Sequence, residues 1–487
     1  MMKCVSNGLP LLQRSRIFGT WLKGLRESRV QSIRLASNAA HATVTEASTR
    51  QVKGATTSTL STSSSSLENA PWSGLERLPT ASLLRSLFLG AFFSTPILFK
   101  PGFAFLRTVA NSRSPLLNPD ANPILRALLK PLLYDHFCAG TTRSEVIRTR
   151  DTIRQTGYSG VALCYGKEAP SSHQGAHKST ARDTVDIEIE HWKQGNLETL
   201  EMIGAGDWLA MKFTGAGSRT TEALLQNDEP PEQFVAAMHS VCEKTVERNC
   251  RLWIDAEQQN LQQSIDTWAI RFMRQYNKDG RAVVYNTLQS YLKASRSKLE
   301  HQLALADKEN WTLAIKLVRG AYMGSDQRNL INDTKQETDD AYNGIVSDLL
   351  SGTNLGHPDG TLPKVELLLA GHNPESISMA WNLICSLQSQ DKLRVLPGFA
   401  QLQGMGDELG CRFLKLCENH AAERKERASA VPKMYKCLTW GTLQECMQYL
   451  FRRAVENSGG TDRLRDGMAA YRGELKRRFF GRRSPRA

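Results

Sequence analysis

Positive charge at the end of an apolar run is the first chemical signal in this chain. Residues 315–323 read Ile-Lys-Leu-Val-Arg-Gly-Ala-Tyr-Met, a segment of strand length that carries Lys316 and Arg319 and breaks at Gly320. A buried strand normally reads as continuous Val, Ile and Leu. Two cations there point either to an anionic or electron-accepting ligand at the strand's C-terminal end, or to side chains snorkelling out to water. A second signal lies near the C-terminus, where residues 444–457 read as a helix carrying Arg452, Arg453 and Glu456. Glu456 stands four residues after one arginine and three after the other, so a single carboxylate can hold both guanidinium groups. Such a fork suits a carboxylate ligand, which Arg grips bidentately and Lys cannot. The plainer reading is a surface ion-pair helix of little energetic weight, but Tyr449 and Leu450 just upstream set the arginines near buried surface.

These groups need a scaffold that brings distant segments together. From residue 159 onward, short apolar runs near 160–164, 208–213, 251–254, 282–285, 313–318, 365–369, 393–396 and 434–438 read as eight strands. Helical patterns over 262–275, 288–306, 339–350 and 374–387 alternate with them. That alternation predicts an α/β fold, a (βα)8 TIM-type barrel with an N-terminal helical arm, against an open doubly wound sheet as the alternative. Gly204-Ala-Gly206 and Gly215-Ala-Gly217 both lack the third glycine of a dinucleotide fingerprint, which disfavours a Rossmann domain. In a barrel the ends of the strands become the functional face. Lys212, Asp255 with Glu257, Gln289, Lys316 with Arg319, His372-Asn373 and Gln401-Leu402-Gln403 then all gather there. Any one of them is more simply a solvated loop residue, but polar residues after six consecutive strands are not.

With 487 residues and 40% hydrophobic content, the chain can build one large barrel or two to three ordinary domains. Its formal net charge of +13 is concentrated at the ends. Residues 1–50 hold eight Lys/Arg against Glu27 and Glu46, and residues 462–487 hold nine against three acids. The middle is near neutral, so no nucleic-acid-binding stripe is indicated on the folded domain. Residues 1–36 show the Arg-rich, acid-poor amphipathic pattern of a mitochondrial transit peptide, and 37–75 read as a Ser/Thr-rich flexible linker. Residues 76–156 form the predicted helical arm, with helices over 124–137 and 141–156, and 157–487 the catalytic domain with its basic tail. Within the arm, 83–106 is apolar but interrupted by Arg85, Pro96, Lys100 and Pro101; it either packs on the core, the favoured reading, or lies on a membrane surface. Ten cysteines include no CxxC pair, so neither a zinc site nor a disulfide framework is signalled; no metal is expected, and reduced thiols fit a matrix or cytosolic compartment. Residues 169–186 read as a surface insertion.

The ordered motifs identify a family. Ile254-Asp255-Ala256-Glu257, Tyr285-Asn286-Thr287-Leu288-Gln289, Lys316 to Tyr322, Asp333-Thr334-Lys335, Gly371-His372-Asn373, Gln401-Leu402-Gln403-Gly404-Met405, and Arg452-Arg453 with Glu456 resemble the proline dehydrogenases, in their mitochondrial, fungal-type form. The resemblance covers most of residues 80–480. It implies FAD-dependent oxidation of L-proline to 1-pyrroline-5-carboxylate, the first step of proline catabolism to glutamate, by hydride transfer from C5 to flavin N5. Electrons would pass to a membrane quinone, placing the enzyme on the matrix side of the mitochondrial inner membrane as a peripheral protein, with no nucleic-acid partner. Carried over by position, it implies that Lys212, Arg452 and Arg453 hold the substrate carboxylate and that Asp255 lies beneath the substrate. Gln289, Lys316, Val318, Gly320, Ala321, Tyr322, Lys335, His372 and Glu456 would contact FAD. One departure stands out: the family usually has a tyrosine in the eighth strand against the proline ring, and the aligned residue here is Cys437. Hydroxyproline oxidation is therefore the nearest alternative. From other classes, a barrel aldolase forming a Schiff base through Lys212 or Lys316 and a non-catalytic RNA-binding protein remain rivals.

Overall fold

The computed structural model describes residues 74–112, 114–166, 185–358, 361–423, 431–458 and 461–480. All described residues belong to one compact unit. The predicted transit peptide, nearly all of the linker and insertion, and the last residues of the basic tail lie outside the described residues.

Eight parallel strands close into a barrel in sequence order: β1 (Gly160–Tyr165), β2 (Trp208–Met211), β3 (Arg251–Ile254), β4 (Val284–Gln289), β5 (Leu313–Val318), β6 (Val365–Ala370), β7 (Gly398–Leu402) and β8 (Met434–Trp440). β8 pairs back onto β1, from Gly160 with Tyr435 to Tyr165 with Trp440. The barrel expectation holds and the open sheet does not. Two strands lie later than the apolar runs suggest. β4 extends through Gln289 because Asn286, Thr287 and Gln289 are polar yet buried in the wall, so polar residues hid a strand. β7 begins after Pro397 rather than at 393–396; proline lacks the N–H a ladder needs, and the paired segment starts beyond it.

The helices clothe this barrel. α1 (Thr80–Ser94), α2 (Pro96–Asn111), α3 (Pro123–Leu129) and α4 (Arg143–Gln155) form the arm; the predicted helix over 124–137 is interrupted by a π-turn at Lys130–Tyr134, where Pro131 removes a backbone donor. After β1 come α5 (Ile187–Met202), α6 (Ser218–Gln226), α7 (Glu232–Glu247), α8 (Gln259–Tyr276) and α9 (Ser295–Glu309). α10 (Lys335–Ser351), α11 (Pro374–Ser389), α12 (Asp407–Glu423), α13 (Leu443–Ser458) and α14 (Thr461–Phe480) complete the chain. α9 starts later than the predicted 288–306 helix because its first residues belong to β4.

Inside the barrel, large rings alternate with small residues. Trp208 packs edge-on against Tyr285 at 4.7 Å and Tyr435 at 5.7 Å, while Ala162, Ala210, Ala314 and Ala400 leave room for them. This aromatic plug fills the lower barrel, and in this fold chemistry sits at the strands' C-terminal mouth. The arm closes one side of that mouth. Leu89, Phe93, Leu106, Tyr134 and Phe137 share a buried cluster with Leu443, Met447 and Leu450 of α13. Tyr134 Oη donates to Gly441 O at 2.6 Å, and Ala139 N donates to Thr439 O at 2.8 Å, tying the arm to the end of β8.

A buried polar knot holds the same corner. Lys436, on the outer face of β8, meets Asp407 of α12 at 2.6 Å. Burial would raise the Asp407 carboxyl, yet Lys436 holds it below its ordinary value. His136 from the arm bonds Gly404 O at 3.0 Å, and burial, opposed by Asp407, pushes its imidazole down to about 4. The unfolded chain therefore binds a proton at His136 that the folded one rejects, so stability is present above pH 6.5 and lost as pH falls toward 4. At pH 5 the loss from this site is about 2 kcal/mol. Chemical denaturation of the wild type and His136→Gln at pH 7 and pH 5 checks it: the acid loss shrinks by about that amount in the variant, and equal slopes would exclude the site.

Candidate active site at the barrel mouth

The mouth is organised around one cation. Lys316 sits in β5 on the same inward side as Ala314, only 8% exposed in its side chain, and its Nζ is ion-paired with Asp255 Oδ1. Asp255 follows β3 directly, two residues after Trp253 and thus on the same side of the pleat. Trp253 contributes twice: its Nε1–H donates to Asp255 Oδ1 at 2.9 Å, and its ring lies 4.3 Å from Lys316 Nζ. A carboxylate and a π face thus hold a nearly buried ammonium.

Other predicted groups converge on this pair. The Cys437 thiol is pushed up to about 11 by burial, against the pull of Lys316, Arg453 and Lys212, with Asp255 adding to the rise. Burial also raises the Tyr322 hydroxyl, opposed by Lys212 and Arg452 and reinforced by Glu257 and Asp255. Lys212, immediately after β2, Asp255, Lys316, Tyr322, Arg452, Arg453 and Cys437 therefore share one electrostatic neighbourhood. Arg453 is 8% exposed, with its guanidinium 4.9 Å from the Tyr449 ring one turn back on α13, which pre-sets its direction. Arg453 is buried and Arg452 half-buried. Glu456, predicted to brace both, has its side chain outside the described residues.

Glu257 lies deeper. Burial raises its carboxyl, while Lys212 and Thr214 lower it; Thr214 donates from N at 3.2 Å and from Oγ1 at 2.5 Å. Gln289, ending β4, donates its Nε2 to Glu257 O at 3.4 Å. His372 follows β6, and its Nε2 accepts Leu402 N–H at 3.1 Å, so a neutral ring carries its proton on Nδ1. Val318 ends β5 half-buried, and the Gly320–Ala321 backbone beyond it is exposed.

Some residues singled out by type have structural work. Arg319 leaves the mouth: its Nε donates to Asp339 at 2.8 Å, its Nη2 to Ser376 Oγ at 2.7 Å, and its guanidinium stacks 4.5 Å from Tyr342, fastening β5 to α10 and α11. The Asp333-Thr334-Lys335 motif is a helix start. Thr334 and Glu337 form a capping box for α10, and Lys335, 83% exposed, bonds Asp339 at 2.5 Å. Asn373 caps α11 by accepting from Ser376 N at 2.9 Å. Sequence reasoning missed Trp253 and Tyr291. The first was legible in the alternation Leu252-Trp253-Ile254-Asp255; the second depends on a loop contact that no local pattern encodes.

A cavity of about 380 Å³ opens at the opposite end of the barrel, around Arg251, Glu366 and Lys433. We place the site at the mouth, because in this fold the strands' N-terminal ends serve stability and the C-terminal ends carry chemistry.

Comparison with known proteins agrees in fold and family. The proline dehydrogenase family model matches residues 146–466, more than half of the chain. A probable mitochondrial proline dehydrogenase of Schizosaccharomyces pombe is 27% identical over 401 residues, covering 71% of this chain and 79% of that protein. Mitochondrial proline dehydrogenase 1 of Arabidopsis thaliana is 29% identical over 406 residues, covering 72% and 75%. Among solved structures, proline utilization A from Bdellovibrio bacteriovorus, inactivated by N-propargylglycine, superposes with a TM-score of 0.58 at 14% identity, a likeness of fold. It covers 81% of this chain, which spans 39% of that protein's length.

Gly320 supplies a structural test. Its φ is +143°, and a Cβ there would stand 2.3 Å from the Tyr291 ring. Gly320→Ala should destabilise the protein by about 2 kcal/mol or more in urea denaturation. Adding Tyr291→Ala should recover part of that loss; strict additivity of the two changes would show that the ring is not the constraint.

Proposed function

This chain belongs to the proline dehydrogenase family, and on that premise we propose that it oxidises L-proline to 1-pyrroline-5-carboxylate at the barrel mouth, in the mitochondrial matrix, as the first step toward glutamate. The observation that carries the reading is the gathering of Lys212, Arg452 and Arg453 around the Lys316–Asp255 pair on a barrel of this family. The transit-like N-terminus and the relatives' mitochondrial names support the compartment.

The residues fit FAD. Three neighbouring strand ends present the Gln289 amide, the exposed Gly320–Ala321 backbone with Val318 and Tyr322 at its flanks, and the His372 ring with its proton on Nδ1. This is a ledge of neutral donors and backbone beside one cation, suited to a polar ring system. When bound, FAD supplies the acceptor for hydride from proline C5, at flavin N5, with the electrons passing on to a membrane quinone. Lys316 supplies positive charge where negative charge develops. Lys335 and Glu456 complete the proposed set from the rim.

The substrate carboxylate falls to the arginines. Arg452 and Arg453 offer planar forks, and Lys212 adds a point charge from across the barrel. With the carboxylate fixed, the ring lies over Asp255, and C5 is held in one orientation, which is the protein's main contribution to rate. Cys437, neutral and partly buried beside these groups, meets the ring with a small side chain. Its size favours one second reading, the oxidation of hydroxyproline, whose extra hydroxyl the room would admit. A Schiff-base aldolase is less well supported, since Lys316 Nζ is committed to Asp255 and Trp253.

Turnover of proline and hydroxyproline by the purified protein, with a soluble dye as acceptor, tests the reading; activity on neither would overturn it. Arg453→Met should lower kcat/KM for proline by roughly 10- to 100-fold or more while bound flavin stays at the wild-type level. Unchanged turnover would mean that the carboxylate is held elsewhere.

A further inference from the structure

The arm exposes apolar surface where a soluble protein would place polar side chains. Every exposed position of α1 is apolar: Ala81, Leu84, Phe88 and Ala91 recur at helical spacing, with Leu84 and Phe88 about half accessible to solvent. The next helix continues the pattern with Ile97, 84% exposed, Leu98 and Phe105. These two helices meet at a bend of 99°, and neither is long and apolar enough to cross a membrane alone. Their inner faces are already taken. Leu89, Phe93, Leu106 and Val109 pack toward α13, and Gly90 lets α14 approach through Met468. The outward apolar face is therefore surplus to the fold.

Charge says what covers it. From residue 78 to 119 the chain contains no Asp or Glu, while Arg85, Lys100, Arg107 and Arg113 supply only positive charge. A surface for a second protein usually mixes both signs in a polar rim. Apolar side chains flanked by cations alone match the boundary between acyl chains and anionic headgroups. We propose that the bent α1–α2 pair docks this enzyme on an anionic bilayer, inserting Leu84, Phe88, Ile97 and Leu98 while Lys100 meets the headgroups. The inference names the surface through which the proposed quinone-linked enzyme meets its membrane, and it rests on that reading for its purpose. Its position suits the purpose. Phe103 of α2 stacks on Phe451 at 4.6 Å, beside Arg452 and Arg453 of the same helix, so the docked face backs directly onto the proposed substrate clamp.

Flotation of the full FAD-loaded chain with phosphatidylcholine vesicles, with and without cardiolipin, tests the proposal. The wild type should float with cardiolipin vesicles, and less so as salt rises. Leu84→Gln/Phe88→Gln and Ile97→Gln/Leu98→Gln should each lower the bound fraction at least about tenfold, and Lys100→Glu should weaken binding to the anionic vesicles. All variants should reduce a soluble dye with proline as the wild type does, since none touches the mouth. Equal flotation of the apolar variants would overturn the proposal, as would binding indifferent to cardiolipin and salt. So would sedimentation showing that these substitutions abolish self-association instead of vesicle binding. Loss of proline–dye activity in the wild type would count against the proposed function and leave the flotation result standing on its own.

Discussion

The ion pair between Lys316 and Asp255 is the constraint around which the barrel mouth is arranged. An ammonium that is nearly buried is expensive unless a counter-charge meets it, and here the carboxylate comes from β3 while the lysine rides on β5. Satisfying that pair fixes the two strands across β4. It also dictates Trp253, whose indole steadies the carboxylate and whose ring faces the ammonium. Below it, Trp208, Tyr285 and Tyr435 pack edge to face and fill the barrel's interior.

Because Lys316 is satisfied within the chain, an incoming carboxylate must find its cations elsewhere. In the proposed reading α13 provides them, and the arm holds that helix in place. Its apolar face is buried against α1, α2 and the π-turn, and Tyr134 anchors the loop before it. A side chain whose direction is fixed by packing loses less entropy on binding. On the proposed function, the arrangement would separate two roles: tuning an electron acceptor and gripping a substrate anion.

Much of this was legible in sequence, for identifiable reasons. Six of the eight strands lie where apolar runs place them, since parallel barrel strands are buried on both faces and announce themselves by composition. β4 was misplaced because Asn286, Thr287 and Gln289 put polar groups inside a buried strand, and β7 because its paired segment starts only after Pro397. Spacing identified Lys212, Asp255, Lys316 and the arginine pair as candidates. It could not say which cations face the mouth. Arg319 and Lys316 stand three residues apart in one run, yet one fastens two helices through Asp339 and Ser376 and the other faces the mouth. That difference follows from strand parity and from partners distant in the chain. Likewise Thr334 and Asn373 lie within recognisable motifs because they cap helices, and Gly320 answers to the Tyr291 ring.

The central claim is the division of labour at the mouth, and rapid anaerobic mixing of Lys316→Met with L-proline tests it most directly. Followed at the flavin absorbance band over a range of proline concentrations, the variant should show a much lower limiting rate of bleaching with a half-saturating concentration close to that of the wild type. A raised half-saturating concentration with an unchanged limiting rate would contradict the account, making Lys316 a substrate anchor.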